Sequence, residues 1–341
     1  MAGYFITGVA GFLGAHLAAD LLAAGHEVWG LDNLVPTYPR EKKLANLEWL
    51  RAAAGSPSRF HFLAADLREP ATWSPTLMQN SIQGVVHLAA LAGVAPSLKN
   101  PREVLTVNVD GTLSLLEALE DAGIPRLVFA SSSSVYGKDS SLPLQESAAA
   151  DHPLSPYAAS KRMGELLCHT YANLYGFKIA CLRFFTVYGP RQRSDLALYR
   201  FARAMMAGVP LTYYGDGSTT RDYTYIEDAV AGMRAALDWL DKVSTPCCGT
   251  FNISGGREVS LEQVVELLEK NLDRPAKKKY ADLPVWDVPR TQADLDHSSR
   301  ELNYHPRVDF TEGMARFCRW LVQEESGRPW FEDPREDNGR G

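Results

Sequence analysis

Six short apolar runs between Gly3 and Phe185 constrain this chain more than any other feature: "YFITG", "EVWGLDN", "RFHFLAAD", "GVVHLAA", "RLVFASS" and "KIACLRFF". None shows the polar alternation of a strand with one wet face, so each reads as a strand covered on both sides. Between them lie stretches such as "AHLAADLLAAG" (15–25), whose apolar positions recur at helical spacing and which stop at Gly25. Strand and helix in that order predict an α/β fold built on a doubly wound parallel sheet. After about residue 185 the texture changes: loops lengthen, and Pro and Gly cluster in "GPRQRSD", "YYGDGSTTRDY" and "ADLPVWDVPR".

The 341 residues suffice for one large α/β unit or two domains with a substantial core. A net charge of −6 argues against a general binder of nucleic acid or anionic membrane, which draws its affinity from excess Lys and Arg. Any anion bound here must be held by local cations. The five cysteines, Cys168, Cys181, Cys247, Cys248 and Cys318, show neither CxxC nor Cys/His spacing, so no metal site is expected. Such a scattered, odd-numbered set fits a reducing, cytoplasmic setting. No leader precedes the first strand and no apolar run approaches ~18 residues, so a soluble protein is expected.

"TGVAGFLG" joins the first strand to the first helix. Gly8 permits the tight turn, Gly11 lets a pyrophosphate approach the backbone, and Gly14 lets helix and sheet pack closely, while the helix N-terminus offers free N–H groups. Asp32 ends the second strand about 20 residues on, where a carboxylate accepts the adenosine ribose hydroxyls. That acid repels a 2′-phosphate and the nearest cation downstream is Arg40, so NAD is expected rather than NADP. Asp66, ending the third strand, reads almost equally as an adenine contact or a surface acid. Residues 1–185 are accordingly expected to form an NAD-binding domain of the Rossmann type that carries the catalytic residues, with a segment near 222–250 a candidate to return to it. Residues 186–330 read as a smaller mixed α/β substrate domain, in which Ser260 and Gln263 have the form of a capping box, and 331–341 as a flexible tail.

"SPYAASKRMGELL" opens with Ser155 as N-cap and Pro156 at the first helical position, which stacks Tyr157 and Lys161 four apart on one helix face. An ammonium beside a phenol favours the phenolate. Lowering a tyrosine from ~10 to near 7 takes about 4 kcal/mol, to which a nicotinamide cation would add. The product is a general base for a hydroxyl proton. Ser132, Ser133 and Ser134 follow the fifth strand at the edge where parallel sheets bind ligands, and a hydroxyl there can relay that proton.

In these motifs, and in "LDN", "ADL", "HLAA", "NVDGT", "SSSSVYG", "YAASK", "RFFTVYGP", "GDGSTTRDY" and "DVP", almost the whole chain resembles the extended short-chain dehydrogenase/reductase family, and within it the nucleotide-sugar epimerases. The resemblance implies Ser132 as the third catalytic residue beside Tyr157 and Lys161. It implies cofactor contacts at Phe12, Leu13, Asp32, Asn33, Asp66, Leu67, Leu88, Ala89, Ala90, Asn108 and Phe184. It implies Tyr214 packing on the nucleotide base, Arg221 on the diphosphate, Asp287 on a ribose, and a homodimer through helices at about 101–122 and 156–175. Related 4,6-dehydratases carry Asp-Glu before "VYG", and related decarboxylases a Glu; here Ser133 and Ser134 stand there, which leaves epimerisation. Where relatives have an Arg shortly before the Asp of "DVP", this chain has Pro284, Val285 and Trp286, and Arg290 is the candidate replacement. Ala95 stands where many relatives carry Arg.

"RFFTVYGPRQRSDLA" (183–197) places three arginines in an acidic chain. It looks most like the uronic-acid 4-epimerases, in which Thr186 and Arg193 would embrace the sugar carboxylate by charge-assisted hydrogen bonds. Arg183 reads as structural, Arg191 as solvated or a phosphate partner, and a merely charged surface loop is the alternative for the whole stretch. The reading that results is NAD-dependent 4-epimerisation of a UDP-sugar, best UDP-glucuronate to UDP-galacturonate. Its rivals are a neutral UDP-hexose 4-epimerase, a uronate decarboxylase and a non-catalytic NAD-binding sensor.

Overall fold

The computed structural model of the chain describes residues 1–138, 141–284, 286–328 and 331. Asp139, Ser140, Val285 and most of the expected tail at 331–341 lie outside the described residues. The six apolar runs form β1 (Gly3–Thr7), β2 (Glu27–Leu31), β3 (Phe60–Leu63), β4 (Ile82–His87), β5 (Arg126–Ser132) and β6 (Lys178–Phe184). Then come β7 (Thr186–Tyr188), β8 (Leu211–Tyr214), β9 (Thr220–Tyr225), β10 (Cys247–Ile253), β11 (Glu258–Ser260) and β12 (Lys278–Ala281).

The main sheet has the order β10-β6-β5-β4-β1-β2-β3, with every pair parallel. Alternate residues of each strand point to opposite faces, and both faces are dry. Ile6, Val86 and Val128 join one core cluster; Phe5, Val85 and Leu127 join the other. That is why the runs lack polar alternation. Strand order reverses between β1 and β4, which opens a crevice at their C-terminal ends.

Helix Ile226–Lys242 packs on β5 and β6 and leads into β10, which adds to the sheet beside β6 in the register Cys247↔Lys178 to Ile253↔Phe184. The remaining strands make two small sheets, β11-β9-β7 and β12-β8. Ser260 caps the helix Leu261–Leu272 with Gln263 closing the capping box, as its sequence pattern requires. β6 ends at Phe184, and two residues later the chain enters β7 beside β9. Thr186 therefore stands where the chain passes from one sheet to the next, above the crevice.

Arg183, on β6 and 2% exposed, grips Glu165 of the helix Pro156–Tyr175 through two hydrogen bonds of 2.9 Å. Its guanidinium also covers the Tyr136 ring at 4.7 Å. The Ser131 hydroxyl donates to the same carboxylate at 2.6 Å and Arg162 at 3.0 Å. Breaking a buried ion pair leaves an unmatched charge, so Glu165→Ala is expected to cost about 3–5 kcal/mol in chemical denaturation.

Candidate active site

A cavity of about 640 Å3 fills the crevice, the size of a small-molecule or cofactor site. At its floor the glycine motif behaves as its spacing predicts. Gly8 has φ +71°, a left-handed conformation, and a Cβ there would meet Ala89 N at 2.8 Å. A Cβ on Gly14 would lie 2.3 Å from Gly8 O, so only glycine lets the helix Phe12–Ala23 come this close. Asp32, 4% exposed, accepts from Ala10 N at 3.2 Å and Leu34 N at 2.8 Å.

Lys43 pairs with the same Asp32 carboxylate at 3.1 Å, a partner that no local motif announces. The Asp66 carboxyl is held well below its usual range, first by its hydrogen bonds from the Arg68 side chain at 2.9 and 2.7 Å. Asn33 Nδ2 donates to it at 3.1 Å. Asp66 therefore lines the cavity as an organised carboxylate rather than as a free surface acid.

The predicted cofactor residues from Gly8 to Phe184 all line this cavity except Asn108. Asn108 is buried one layer back: its Nδ2 donates to Leu91 O and Ser160 Oγ, and its Oδ1 accepts from Leu91 N at 2.8 Å. It ties the loop after β4 to the helix that bears Tyr157. Beside it runs a directional chain. Thr7 Oγ1 accepts from Leu88 N and Ala89 N, so its own proton goes to His87 Nδ1 at 2.7 Å. His87 Nε2–H then donates to Thr112 Oγ1 at 3.0 Å, and Thr112 donates to Asn108 O. Burial, with the Lys161 charge, pushes this imidazole down to about 3, so it stays neutral and serves as a spacer. The "HLAA" motif contained the signal, in the one polar residue of an apolar strand end.

Ser155 caps the catalytic helix, its hydroxyl accepting from Ala158 N at 3.1 Å. Ser132, Tyr157 and Lys161 all reach the cavity. The Ser132 hydroxyl is near enough to the Tyr157 phenol to lower it, and it meets Ser134 Oγ at 2.6 Å. Burial raises the Tyr157 phenol, while the Ser132 hydroxyl and the Arg193 charge pull it down. The Lys161 ammonium donates to Ala130 O at 2.7 Å, and burial pushes it down to about 8. Arg193 places a positive charge near the Tyr157 phenol.

The three arginines thus have three different duties. Arg183 is structural, as described above. Arg191 lies over the Trp49 ring at 4.3 Å and donates to Asn46 Oδ1 at 3.2 Å, while Asn46 donates to Ala10 O in the glycine loop. It braces that loop half-buried and from outside the cavity wall. Arg193 alone enters the site, and Thr186 shares the wall with its hydroxyl making no hydrogen bond among the described residues.

At the far end Arg221 pairs with Asp287 at 2.6 Å, and Arg290 with Glu258 at 2.7 Å. Arg221, Asp287 and Arg290 line the cavity, as does Trp286. Tyr214 does not; it ends β8 in a separate small sheet, so the indole of Trp286 is the aromatic ring on that wall. No cluster that could hold a metal ion occurs among the described residues. No helix among them is long and apolar enough to cross a membrane.

Comparison with known proteins places this geometry. The profile of the NAD dependent epimerase/dehydratase family matches residues 4–254. A UDP-glucuronate 4-epimerase of Thermodesulfobacterium geofontis is 38% identical over 93% of this chain and 95% of its own. The crystal structure of a UDP-glucuronic acid 4-epimerase from Bacillus cereus, in complex with UDP-glucuronic acid and NAD, is 35% identical. It superposes with a TM-score of 0.86 over 94% of this chain and 99% of its own. A UDP-glucose 4-epimerase from Thermotoga maritima, solved with UDP-glucose, is 27% identical with a TM-score of 0.83 over 94% and 99%.

In the ligand-free protein the Tyr157 phenol is expected to stay protonated beyond pH 10, and Ser132→Ala to raise it further. Ultraviolet difference titration against Tyr157→Phe checks both.

Proposed function

Because the chain belongs to the NAD dependent epimerase/dehydratase family, we propose that it interconverts UDP-glucuronate and UDP-galacturonate by epimerisation at carbon 4. The observation that carries the choice of a uronate is that Arg193 and the Thr186 hydroxyl, unbonded among the described residues, stand on the same wall as Tyr157. Neutral hexoses offer no anion for that guanidinium.

The cradle fits NAD: Gly8 and Gly14 leave room only for backbone, and Asp32 keeps a carboxylate at the ribose position. When bound, NAD supplies the acceptor for the carbon 4 hydride and gives it back on the opposite face. All else falls to the chain. Tyr157 takes the 4-hydroxyl proton, with the Ser132 hydroxyl bridging, and returns it to the inverted centre. Arg193 offsets part of the cost of ionising a buried phenol. Thr186 and Arg193 hold the carboxylate, and Arg221, Asp287 and Arg290 stand at the nucleotide end. With serines at 133 and 134 no second acid is supplied there for loss of water.

Five unpaired cysteines support a reducing compartment, the cytoplasm. Met163, Leu166, Leu174 and Tyr175 are 44–68% exposed along the catalytic helix, and that apolar strip supports a homodimer through this face. Light scattering is expected to report a dimer for the parent and a monomer for a Leu166→Glu, Leu174→Glu double variant.

Proton NMR with UDP-glucuronate should show UDP-galacturonate forming, and slower or no change with UDP-glucose. Tyr157→Phe is expected to lower kcat about 10²–10⁴-fold, the usual share of a general base. A variant as fast as the parent would overturn the assignment.

A further inference from the structure

Asp195 is no part of the cavity wall, yet it decides how Arg193 meets the cavity. Arg193 Nε donates to Asp195 Oδ1 at 2.9 Å and its Nη2 donates to Oδ2. Nη2 also donates to Ala92 O at 3.0 Å, in the loop after β4. Nη1 has no partner among the described residues, and Arg193 lines the cavity. A guanidinium is planar with its donors in a fixed fork, so three bonds on Nε and Nη2 set both its plane and the edge left over. Without them a long, flexible stem would let the head group turn.

We infer that Asp195 is a positioning residue for the sugar carboxylate: by occupying the Nε and Nη2 edge of Arg193 it leaves only Nη1 to grip the uronate, and so fixes the angle of that grip. This role presupposes the uronate reading above. The angle matters because oxidation at carbon 4 turns the sugar into a β-keto acid. If the bond from carbon 5 to carbon 6 lies along the carbonyl π system, it breaks and carbon dioxide leaves. The electron pair enters the carbonyl as an enolate, and a proton returns at carbon 5; no further reactant is needed. A carboxylate held at one angle is kept out of that alignment.

The test uses the full-length NAD-loaded protein with UDP-glucuronate, comparing the parent with Asp195→Ala and Asp195→Asn. Released carbon dioxide is trapped and the sugars are quantified by proton NMR. In Asp195→Ala the ratio of carbon dioxide to epimer is expected to rise at least about tenfold, and KM to rise more than kcat falls. Asp195→Asn, which keeps the shape and one acceptor oxygen, should lie between. The ratio counts the fates of molecules already oxidised, so a partly unfolded preparation does not move it. An unchanged ratio and KM in Asp195→Ala overturn the role.

If that variant turns nothing over, calorimetry decides. UDP bound as by the parent with UDP-galacturonate about tenfold weaker supports the role; parallel loss of both, or no loss of either, overturns it. A parent that does not interconvert the uronates sinks the uronate reading and this role with it. A parent that does, beside an unchanged variant, sinks this role alone.

Discussion

Glu165 draws donors from three directions: Ser131 at the end of β5, Arg162 on its own helix and Arg183 on β6. A carboxylate 4% exposed survives burial only because each lone pair has a partner. Those bonds pin the catalytic helix against the two strands whose ends carry Ser132 and Phe184. Tyr157, two turns toward the N-terminus of the same helix, is thereby carried to the crevice. The catalytic geometry depends on a charge pair that takes no part in the reaction.

An acidic chain that binds an acidic ligand has to ration its cations. Here nearly all those near the crevice are already committed, Lys43 to Asp32, Arg68 to Asp66, Arg221 to Asp287 and Arg290 to Glu258. The pairs keep the walls nearly neutral until a ligand arrives. Arg193 follows the same rule but keeps one nitrogen in hand. Its nearness to a buried phenol gives that nitrogen a double use, since the same charge that suits a carboxylate also eases ionisation of Tyr157.

Where chemistry is local, the residues could be read directly. The glycine cradle, the Ser155 cap, the Ser260 capping box and the Tyr157–Lys161 spacing need only a few neighbours in the chain, and all take their predicted form. Partners far apart in sequence were not legible. Asn46 meets Arg191 across 145 positions, and nothing in either neighbourhood announces it. The Lys161 ammonium turns to Ala130 O, a matter of rotamer and burial that helical spacing leaves open. Asn108 and Tyr214 sit on the right elements, yet one stands a layer behind the wall and the other in a separate sheet. β10 is legible only coarsely, at the end of the segment near 222–250 that could return to the first domain: "CCGTFNI" begins half-exposed at the sheet edge and lacks the long apolar run of its neighbours.

That late strand bears on how the molecule comes off the ribosome. β6 is complete roughly sixty residues before β10 begins, so during synthesis its open edge waits with unsatisfied backbone groups beside an apolar surface. Until Cys247–Ile253 docks, the nascent chain is a sheet without its border.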